Sequence, residues 1–274
     1  MYKKIIIATD GAEQSGSAVV EAINIAAKSD SQIYLLHILK IMVGVDGVGG
    51  CSNLTLMQKL EESAKKYMEM FKGLAAADGA LKCETVIRHG VDFYTAIIDE
   101  INKKGADLIM MGRKNPAHPL KRFLFGSVTG KILKKSPCDI LIVPLASLVQ
   151  WDKLLFPVID DKNDDALADK ILCLAKQNNS KIFLNGIYSQ EQFKSAAENK
   201  LNKLSEQFKK NGLSVESGLV QGEPSELINR CALENNADII VMNRTMEKSF
   251  KTLFYGSFTE RVIENSICSI LILV

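Results

Sequence analysis

Residues 106–113 read Ala106-Asp107-Leu108-Ile109-Met110-Met111-Gly112-Arg113, and residues 237–244 read Ala237-Asp238-Ile239-Ile240-Val241-Met242-Asn243-Arg244. Two further pairs follow in the same order at nearly the same spacing: Phe125–Thr129 with Tyr255–Thr259, and Ser136–Ile142 with Ser266–Ile272. Collinear matches at a fixed spacing indicate an internal repeat. The sequence therefore predicts two copies of one fold, with domains at residues 1–146 and 151–274.

The segments around these matches alternate between short apolar runs and longer amphipathic stretches. In the first copy the predicted strands are Lys4–Ala8, Gln32–Ile38, Lys82–Ile87, Asp107–Met111 and Asp139–Val143, with helices at 14–28, 54–78, 91–104 and 127–135. In the second copy the predicted strands lie near 153–158, 181–187, 214–220, 238–242 and 268–274. Apolar runs that alternate with helices are typical of parallel strands. We therefore expect an α/β protein of two repeated, doubly wound, Rossmann-like domains, each a five-stranded parallel sheet with helices on both faces.

The composition excludes several classes of protein. Its 34 Lys and Arg residues nearly balance 32 Asp and Glu residues, whereas a nucleic-acid or membrane-surface binder needs a concentrated basic face. No apolar run reaches the ~18–20 residues of a membrane span, and Asp10 comes too early for a secretory signal. Six cysteines without a C-x-x-C pair favour free thiols in a reducing compartment. We expect a cytoplasmic protein that binds neither nucleic acid nor membrane.

Candidate ligand-binding residues follow three of the predicted strands in the first copy. The first strand leads into Thr9-Asp10-Gly11, the second ends at His37-Ile38, and the fourth leads into Met111–Asn115. In a doubly wound sheet, ligands bind beyond the carboxyl ends of the strands, where the strand order reverses. Gly126-Ser127 then opens a predicted helix, whose free N–H groups and positive dipole end suit a phosphate.

These residues resemble the universal stress protein family. The resemblance covers essentially the whole chain as a tandem pair, and it rests on Ile7–Gly11, Leu36–Ile38, Met111-Gly112, Gly126–Thr129 and Pro137–Pro144. It implies an adenine nucleotide α-hydrolase-like fold and a bound ATP or AMP, with Mg²⁺ as a candidate companion of ATP. By position, Asp10 would lie near the adenosine, the Ile38 backbone would meet the adenine edge, and Gly112 would approach the ribose and phosphates. The full implied nucleotide-binding set is Asp10, Ile38, Met111, Gly112, Lys114, Asn115, Gly126, Ser127 and Val128.

The chain departs from the family's phosphate-side pattern, which is G-x-x-G followed by G-S or G-T. Asn115 stands at the second glycine, and the run from there to Gly126 is one residue longer than in the family. Lys114 is either a source of charge for the phosphates or a solvated loop residue. The second copy departs further, because it reads Asn243-Arg244-Thr245-Met246 and retains only Gly256-Ser257. Nucleotide is therefore expected in the first copy alone.

These sequence patterns bear on three classes of function: a nucleotide-binding regulator, an interaction protein and an enzyme. The leading hypothesis is a stress-response regulatory protein that binds an adenine nucleotide and a protein partner of unknown identity. Efficient catalysis is not expected, since no positioned His–acid pair, metal cluster or nucleophile elbow is visible. The alternative is a nucleotide-free tandem scaffold or interaction protein. An ATP-dependent ligase would need a Ser-Gly-Gly-type loop where Thr9–Gln14 stands, while slow ATP hydrolysis is left open.

The fifth predicted strand of each copy, Ile140–Val143 and Ile270–Leu273, is an apolar edge strand. An open edge of this kind invites pairing with another strand. In the family that the chain resembles, single-domain members pair through this strand. We therefore expect the two copies to form an intramolecular pseudo-dimer, and a homodimer of whole chains is a further candidate.

Overall fold

The computed structural model describes residues 2–11, 13–40, 50–80, 82–113, 127–145, 149–159, 165–244 and 258–274. These residues form two compact units, one from the described part of 2–145 and the other from the described part of 149–274. Each unit is a parallel sheet with helices on both faces, so the predicted α/β fold class is confirmed. No helix within these described ranges is long and apolar enough to cross a membrane.

The first unit alternates strands and helices in the predicted order. Its elements are β1 (Lys4–Thr9), α1 (Glu13–Ser29), β2 (Gln32–Lys40), α2 (Gly50–Ala77), β3 (Cys83–Gly90), α3 (Phe93–Lys104), β4 (Leu108–Gly112), α4 (Ser127–Lys135) and β5 (Asp139–Val143). The strands lie in the order β3-β2-β1-β4-β5, and every pairing within the unit is parallel. The order therefore reverses direction between β1 and β4.

Burial follows this strand order. Ile5, Ile6 and Ile7 of central β1 are fully buried, because helices cover both faces of the sheet and leave no face for polar residues. By contrast, β3 is an outer strand of its unit, and most of its residues are only half-buried. The continuous apolar run in β1 and the mixed composition of β3 thus match their places in the sheet.

The second unit repeats this topology. Its elements are β6 (Lys153–Ile159), α5 (Asp165–Asn178), β7 (Lys181–Tyr188), α6 (Lys194–Lys210, preceded by a 3₁₀ turn at Glu191–Phe193), β8 (Val215–Gln221), α7 (Pro224–Glu234), β9 (Ile239–Asn243), α8 (Phe258–Asn265) and β10 (Ser269–Leu273). The strands lie in the order β10-β9-β6-β7-β8, with parallel pairing throughout the unit. The equivalent of β1 is β6, and the equivalent of β4 is β9.

A proline makes the two units differ at the carboxyl end of the central strand. Register pairs between β1 and β4 continue to Ala8 and Met111, whereas those between β6 and β9 stop at Leu155 and Ile240. Pro157 has no backbone N–H group to donate to a neighbouring strand, and it follows this last pair by two residues. The central pair of strands therefore stays paired nearer to the carboxyl edge in the first unit than in the second.

The repeated aspartate of the opening sequence match is structural in both units. Asp107 accepts hydrogen bonds from the backbone N–H groups of Lys3 and Lys4, at 2.8 and 3.0 Å. Asp238 accepts the same pair of bonds from Asp152 and Lys153, at 3.0 and 2.9 Å. Each carboxylate thus fixes the start of the central strand at the amino-terminal edge of its sheet, on the side opposite the predicted site.

The repeated Ser-x-Cys element also has a structural role. Ser136 Oγ donates to the Cys138 carbonyl at 2.8 Å and accepts from the Cys138 N–H at 3.3 Å, and Ser266 makes the same two bonds with Cys268. Burial raises the pKa of the Cys138 thiol to about 11, so this thiol is protonated at neutral pH. The element shapes the turn into the last strand of each unit.

Candidate functional site

The carboxyl edge of the first unit brings together the ends of β1, β2 and β4. Thr9 pairs with His37 across β1 and β2, and Ala8 pairs with Met111 across β1 and β4. Asp10 follows β1, and Gly112 ends β4, so both lie where the strand order reverses. The connections that follow neighbouring strands at such a point run to opposite faces of the sheet, and ligands of doubly wound sheets bind in the crevice between them.

Hydrogen bonds order the loop that carries Asp10. Gly11 has a φ of +78°, a left-handed conformation that glycine adopts without strain, and its N–H donates to Thr9 Oγ1 at 3.1 Å. Ser15, in the first turn of α1, donates through its hydroxyl to Asp10 Oδ1 at 3.2 Å. The Asp10 side chain is exposed, so this loop presents a carboxylate at the edge of the sheet.

His37 lies beneath this loop as a buried residue. Its Cε1 atom is 3.9 Å from the place that a Cβ atom on Gly11 would occupy, and only 9% of the residue is exposed. Burial lowers the pKa of His37, against the opposing effects of the Asp10 charge and a hydrogen bond with the Thr9 backbone. The imidazole is therefore neutral at neutral pH and adds no positive charge to the edge.

Ile38 lies two residues before the end of β2 rather than at its end. The prediction that this strand stops at Ile38 was wrong, because pairing with β3 continues through Leu39 and Lys40. The Ile38 side chain is half-buried, and its Cγ2 atom is 3.8 Å from the Cβ position of Gly90, at the end of β3. Its backbone thus belongs to a paired strand segment near the carboxyl edge.

Only some of the candidate phosphate-side residues lie within the described part of the chain. Met111 is buried inside β4, Gly112 is half-buried at the end of that strand, and Val128 is half-buried in the first turn of α4. Lys114, Asn115 and Gly126 lie outside the described residues. Ser127 begins α4 as predicted, and its side chain also lies outside the description. Within the described ranges, no group of three or more His, Cys, Asp or Glu side chains could hold a metal ion.

An ion pair links α4 to the start of α3. Asp92 caps α3 by accepting from the Thr95 N–H at 3.2 Å, and Lys131 Nζ lies 3.8 Å from its other carboxylate oxygen. The second unit has the same arrangement, in which Glu223 caps α7 and accepts from Arg261 at 3.3 Å. Both pairs are solvent-exposed in part, so each contributes modestly to the placement of the fourth helix of its unit.

Sequence patterns missed one residue of the site, Tyr67 of α2. Its hydroxyl lies 3.1 Å from Thr9 Oγ1, and its ring meets that of Phe71 edge to face, with centroids 4.7 Å apart. In the sequence Tyr67 counts only as one more apolar position on the inner face of α2. A tertiary contact between α2 and the end of β1 gives it a polar role, and no local pattern reports such a contact.

Among the described residues, the matching edge of the second unit has apolar side chains at the positions of Thr9 and Asp10. Strand pairing equates Lys4 and Gln32 of the first unit with Lys153 and Lys181 of the second. In this register Thr9 corresponds to Val158, Asp10 to Ile159, His37 to Gly186 and Gly112 to Asn243. Ile159 is 5% exposed, so a buried apolar side chain stands where the first unit presents a carboxylate. Asp160, Asp161 and Gly256-Ser257 lie outside the described residues.

Comparisons with known proteins agree with the repeat and the fold. The sequence model of the Universal stress protein family matches residues 1–144 and again 150–273. A universal stress protein of Methanocaldococcus jannaschii is 34% identical over 147 residues, covering 52% of this chain and 82% of the relative. One of Bacillus subtilis is 28% identical over 155 residues, covering 52% of this chain and 99% of the relative. A crystal structure of a universal stress protein from Archaeoglobus fulgidus superposes with a TM-score of 0.80 at 20% identity, over 98% of this chain and 95% of that one.

Proposed function

This chain belongs to the universal stress protein family, and from that membership and the carboxyl edge of its first unit we propose that it binds one adenine nucleotide, ATP or AMP. The nucleotide acts as a regulatory ligand in a stress response, without efficient turnover. The adenosine lies against Asp10 and the Ile38 backbone, and the phosphates lie toward Gly112 and the start of α4.

The observation that carries this proposal is the position of Asp10 and Gly112. They follow neighbouring strands at the point where the strand order of the first unit reverses. An exposed carboxylate can accept hydrogen bonds from ribose hydroxyls or from an adenine amino group. Glycine has no side chain at the end of β4, so a ligand can approach the backbone closely. Both properties suit a nucleoside with attached phosphates.

The start of α4 is the candidate phosphate position. The N–H groups of the first helical turn have no partner inside the helix, and the helix dipole favours negative charge there. In sequence, Gly126 precedes this turn and Ser127 begins it. Lys114 is the candidate for additional positive charge, and Mg²⁺ would accompany ATP as its usual counterion.

The second unit is proposed to bind no nucleotide. Ile159 replaces the acidic group, and Asn243 places a side chain where the first unit has Gly112. We therefore expect one nucleotide per chain. A tandem scaffold without nucleotide is the competing function, and it is favoured by Asn115, which stands where the family's phosphate-side pattern has a glycine.

Identification of released small molecules separates these two functions. The purified protein is denatured, and the supernatant is analysed by mass spectrometry for ATP, ADP and AMP. The stripped protein is then titrated with ATP and Mg²⁺ by calorimetry, with phosphate release measured in the same samples. One site per chain with negligible phosphate release supports the proposal. Absence of both co-purified nucleotide and heat of binding supports the scaffold, and rapid phosphate release would make the protein an ATPase.

Two matched variants assign the site to one unit. Gly112→Val adds a β-branched side chain at the end of β4, and Asn243→Val changes the equivalent position of β9. We expect the first to weaken ATP binding by at least tenfold and the second to leave it unchanged. The reverse pattern, in variants with unchanged circular dichroism, would place the nucleotide in the second unit.

A further inference from the structure

Three hydroxyl groups connect α2 to the acidic residue of the proposed site. Thr9 Oγ1 lies 3.1 Å from the hydroxyl of Tyr67 and 2.9 Å from Ser15 Oγ, which in turn contacts Asp10 Oδ1 at 3.2 Å. Thr9 and Ser15 are both about 95% buried. Hydroxyl groups buried in this way are held in one arrangement, because water is not available to replace a lost partner.

Each hydroxyl group of this series has an identified hydrogen-bond partner. Ser15 donates its single hydroxyl proton to Asp10 Oδ1. Thr9 must then donate its own proton to Ser15. Thr9 Oγ1 also accepts from the Gly11 N–H and shares a hydrogen bond with the hydroxyl of Tyr67, each at 3.1 Å. The hydrogen bonds therefore form one connected series that joins Tyr67 through Thr9 and Ser15 to Asp10.

Ring packing contributes to the position of Tyr67, the first member of this series. The Tyr67 ring meets Phe71 of the same helix edge to face, with planes inclined by 65°. Phe71 in turn approaches α1 at Gly16, where a Cβ atom would lie 3.8 Å from the tip of the phenylalanine ring. The Tyr67 ring thus packs on Phe71, which lies against α1, while its hydroxyl contacts Thr9.

We propose that Tyr67 is a positioning residue for Asp10, and that through it α2 sets the orientation of the carboxylate that receives the adenosine. This inference rests on the proposed nucleotide site. The second unit provides the contrast, because Val158 and Ile159 replace Thr9 and Asp10 and can form no such series. The hydroxyl series therefore belongs to the unit that is proposed to bind the ligand.

A double-mutant cycle tests whether Tyr67 acts through Asp10. ATP affinity is measured by calorimetry for the parent protein, Tyr67→Phe, Asp10→Ala and the double variant. Tyr67→Phe removes one oxygen and keeps the ring contacts, so we expect about two- to tenfold weaker binding, the range for one lost hydrogen bond. In the Asp10→Ala background the same change is expected to have no effect. An equal effect in both backgrounds, or none in the parent, overturns the proposal.

A second measurement needs no nucleotide. Side-chain coupling constants from NMR report the rotamers of Asp10 in the parent and in Tyr67→Phe. We expect one dominant rotamer in the parent and averaging among rotamers in the variant, whereas an unchanged distribution overturns the proposal. If the parent protein does not bind ATP, the proposed function is contradicted. The NMR rotamers of Asp10 then decide the role of Tyr67. Tyr188→Phe, at a buried tyrosine at the end of β7, is the control and should alter neither readout.

Discussion

Arg88 holds a carboxylate that is almost completely removed from water, that of Glu100. The Nε atom of Arg88 donates to Glu100 Oε2 at 2.7 Å, and a terminal guanidinium nitrogen donates to the same oxygen. Glu100 is 1% exposed, whereas the arginine side chain is 39% exposed. The pair thus fixes α3 against β3 with one buried and one accessible partner.

Removal of the arginine should destabilise the protein strongly. Arg88→Met leaves the Glu100 carboxylate buried without its counter-charge, and such a loss costs about 3 kcal/mol. Urea unfolding measures the change in the free energy of unfolding. Adding Glu100→Gln to this variant should recover part of the loss, because the uncompensated charge is gone. A change below about 0.5 kcal/mol in Arg88→Met, the usual size for a surface pair, would contradict the prediction.

The stability of the first unit should fall in mild acid because of His37. Burial lowers the pKa of this histidine, so below about pH 6.5 the unfolded chain binds a proton that the folded protein resists. Acid therefore favours unfolding, with a contribution of at most about 1.4 kcal/mol per pH unit from one proton. We expect His37→Gln to flatten the dependence of the unfolding free energy on pH between pH 7 and pH 5. Parallel curves for the parent and the variant would show that His37 does not contribute.

The same substitution at two glycines should have opposite effects. Gly105 ends α3 with a φ of +61° and ψ of +46°, and a Cβ atom in this conformation costs about 1 kcal/mol. Gly73 lies inside α2, where a Cβ atom would meet nothing within 4 Å. We expect Gly105→Ala to destabilise the protein by about 1 kcal/mol and Gly73→Ala to stabilise it by about 0.5–1 kcal/mol. Thermal unfolding of both variants provides the comparison, and equal signs would refute it.

The sequence predicted the strands well because each strand of the core is an apolar run. β1 was predicted at Lys4–Ala8 and extends to Thr9, and β5 was predicted at Asp139–Val143 without error. The end of β3 was less accurate, since the run Arg88–Gly90 contains polar residues and is a strand only through its pairing with β2. The position of such a strand end depends on pairing with the neighbouring strand, and the sequence of one segment does not show this pairing.

The candidate site was predictable in position but not in its internal bonds. Asp10 and Gly112 were identified from the ends of apolar runs, and the strand order places both at the same edge. Tyr67 was missed because its hydroxyl reaches Thr9 across 58 positions of the sequence. Asp107 was predicted only as the start of a strand, although its carboxylate holds the backbone of Lys3 and Lys4. Both roles arise from contacts between elements.

The two copies have matched glycines at the phosphate end of the proposed site. Gly126 precedes α4 in the sequence, and Gly256 stands before Ser257 and α8 in the second copy. If the phosphates approach the first turn of α4 closely, a branched side chain at Gly126 should obstruct them. We expect Gly126→Val to abolish ATP binding in calorimetric titrations.

Ser127→Ala and Gly256→Val complete this test. The alanine change should weaken ATP binding by about 0.5–1.5 kcal/mol for one hydrogen bond, and by up to about 3 kcal/mol if the hydroxyl contacts a charged phosphate oxygen. Gly256→Val should leave ATP affinity unchanged, since Ile159 and Asn243 stand at the positions of Asp10 and Gly112 in the second unit. Loss of ATP binding in Gly256→Val alone, in a protein that still folds, would assign the nucleotide to the second copy. Two equivalent sites per chain in the parent would contradict the asymmetry between Asp10 and Ile159 on which the proposal depends.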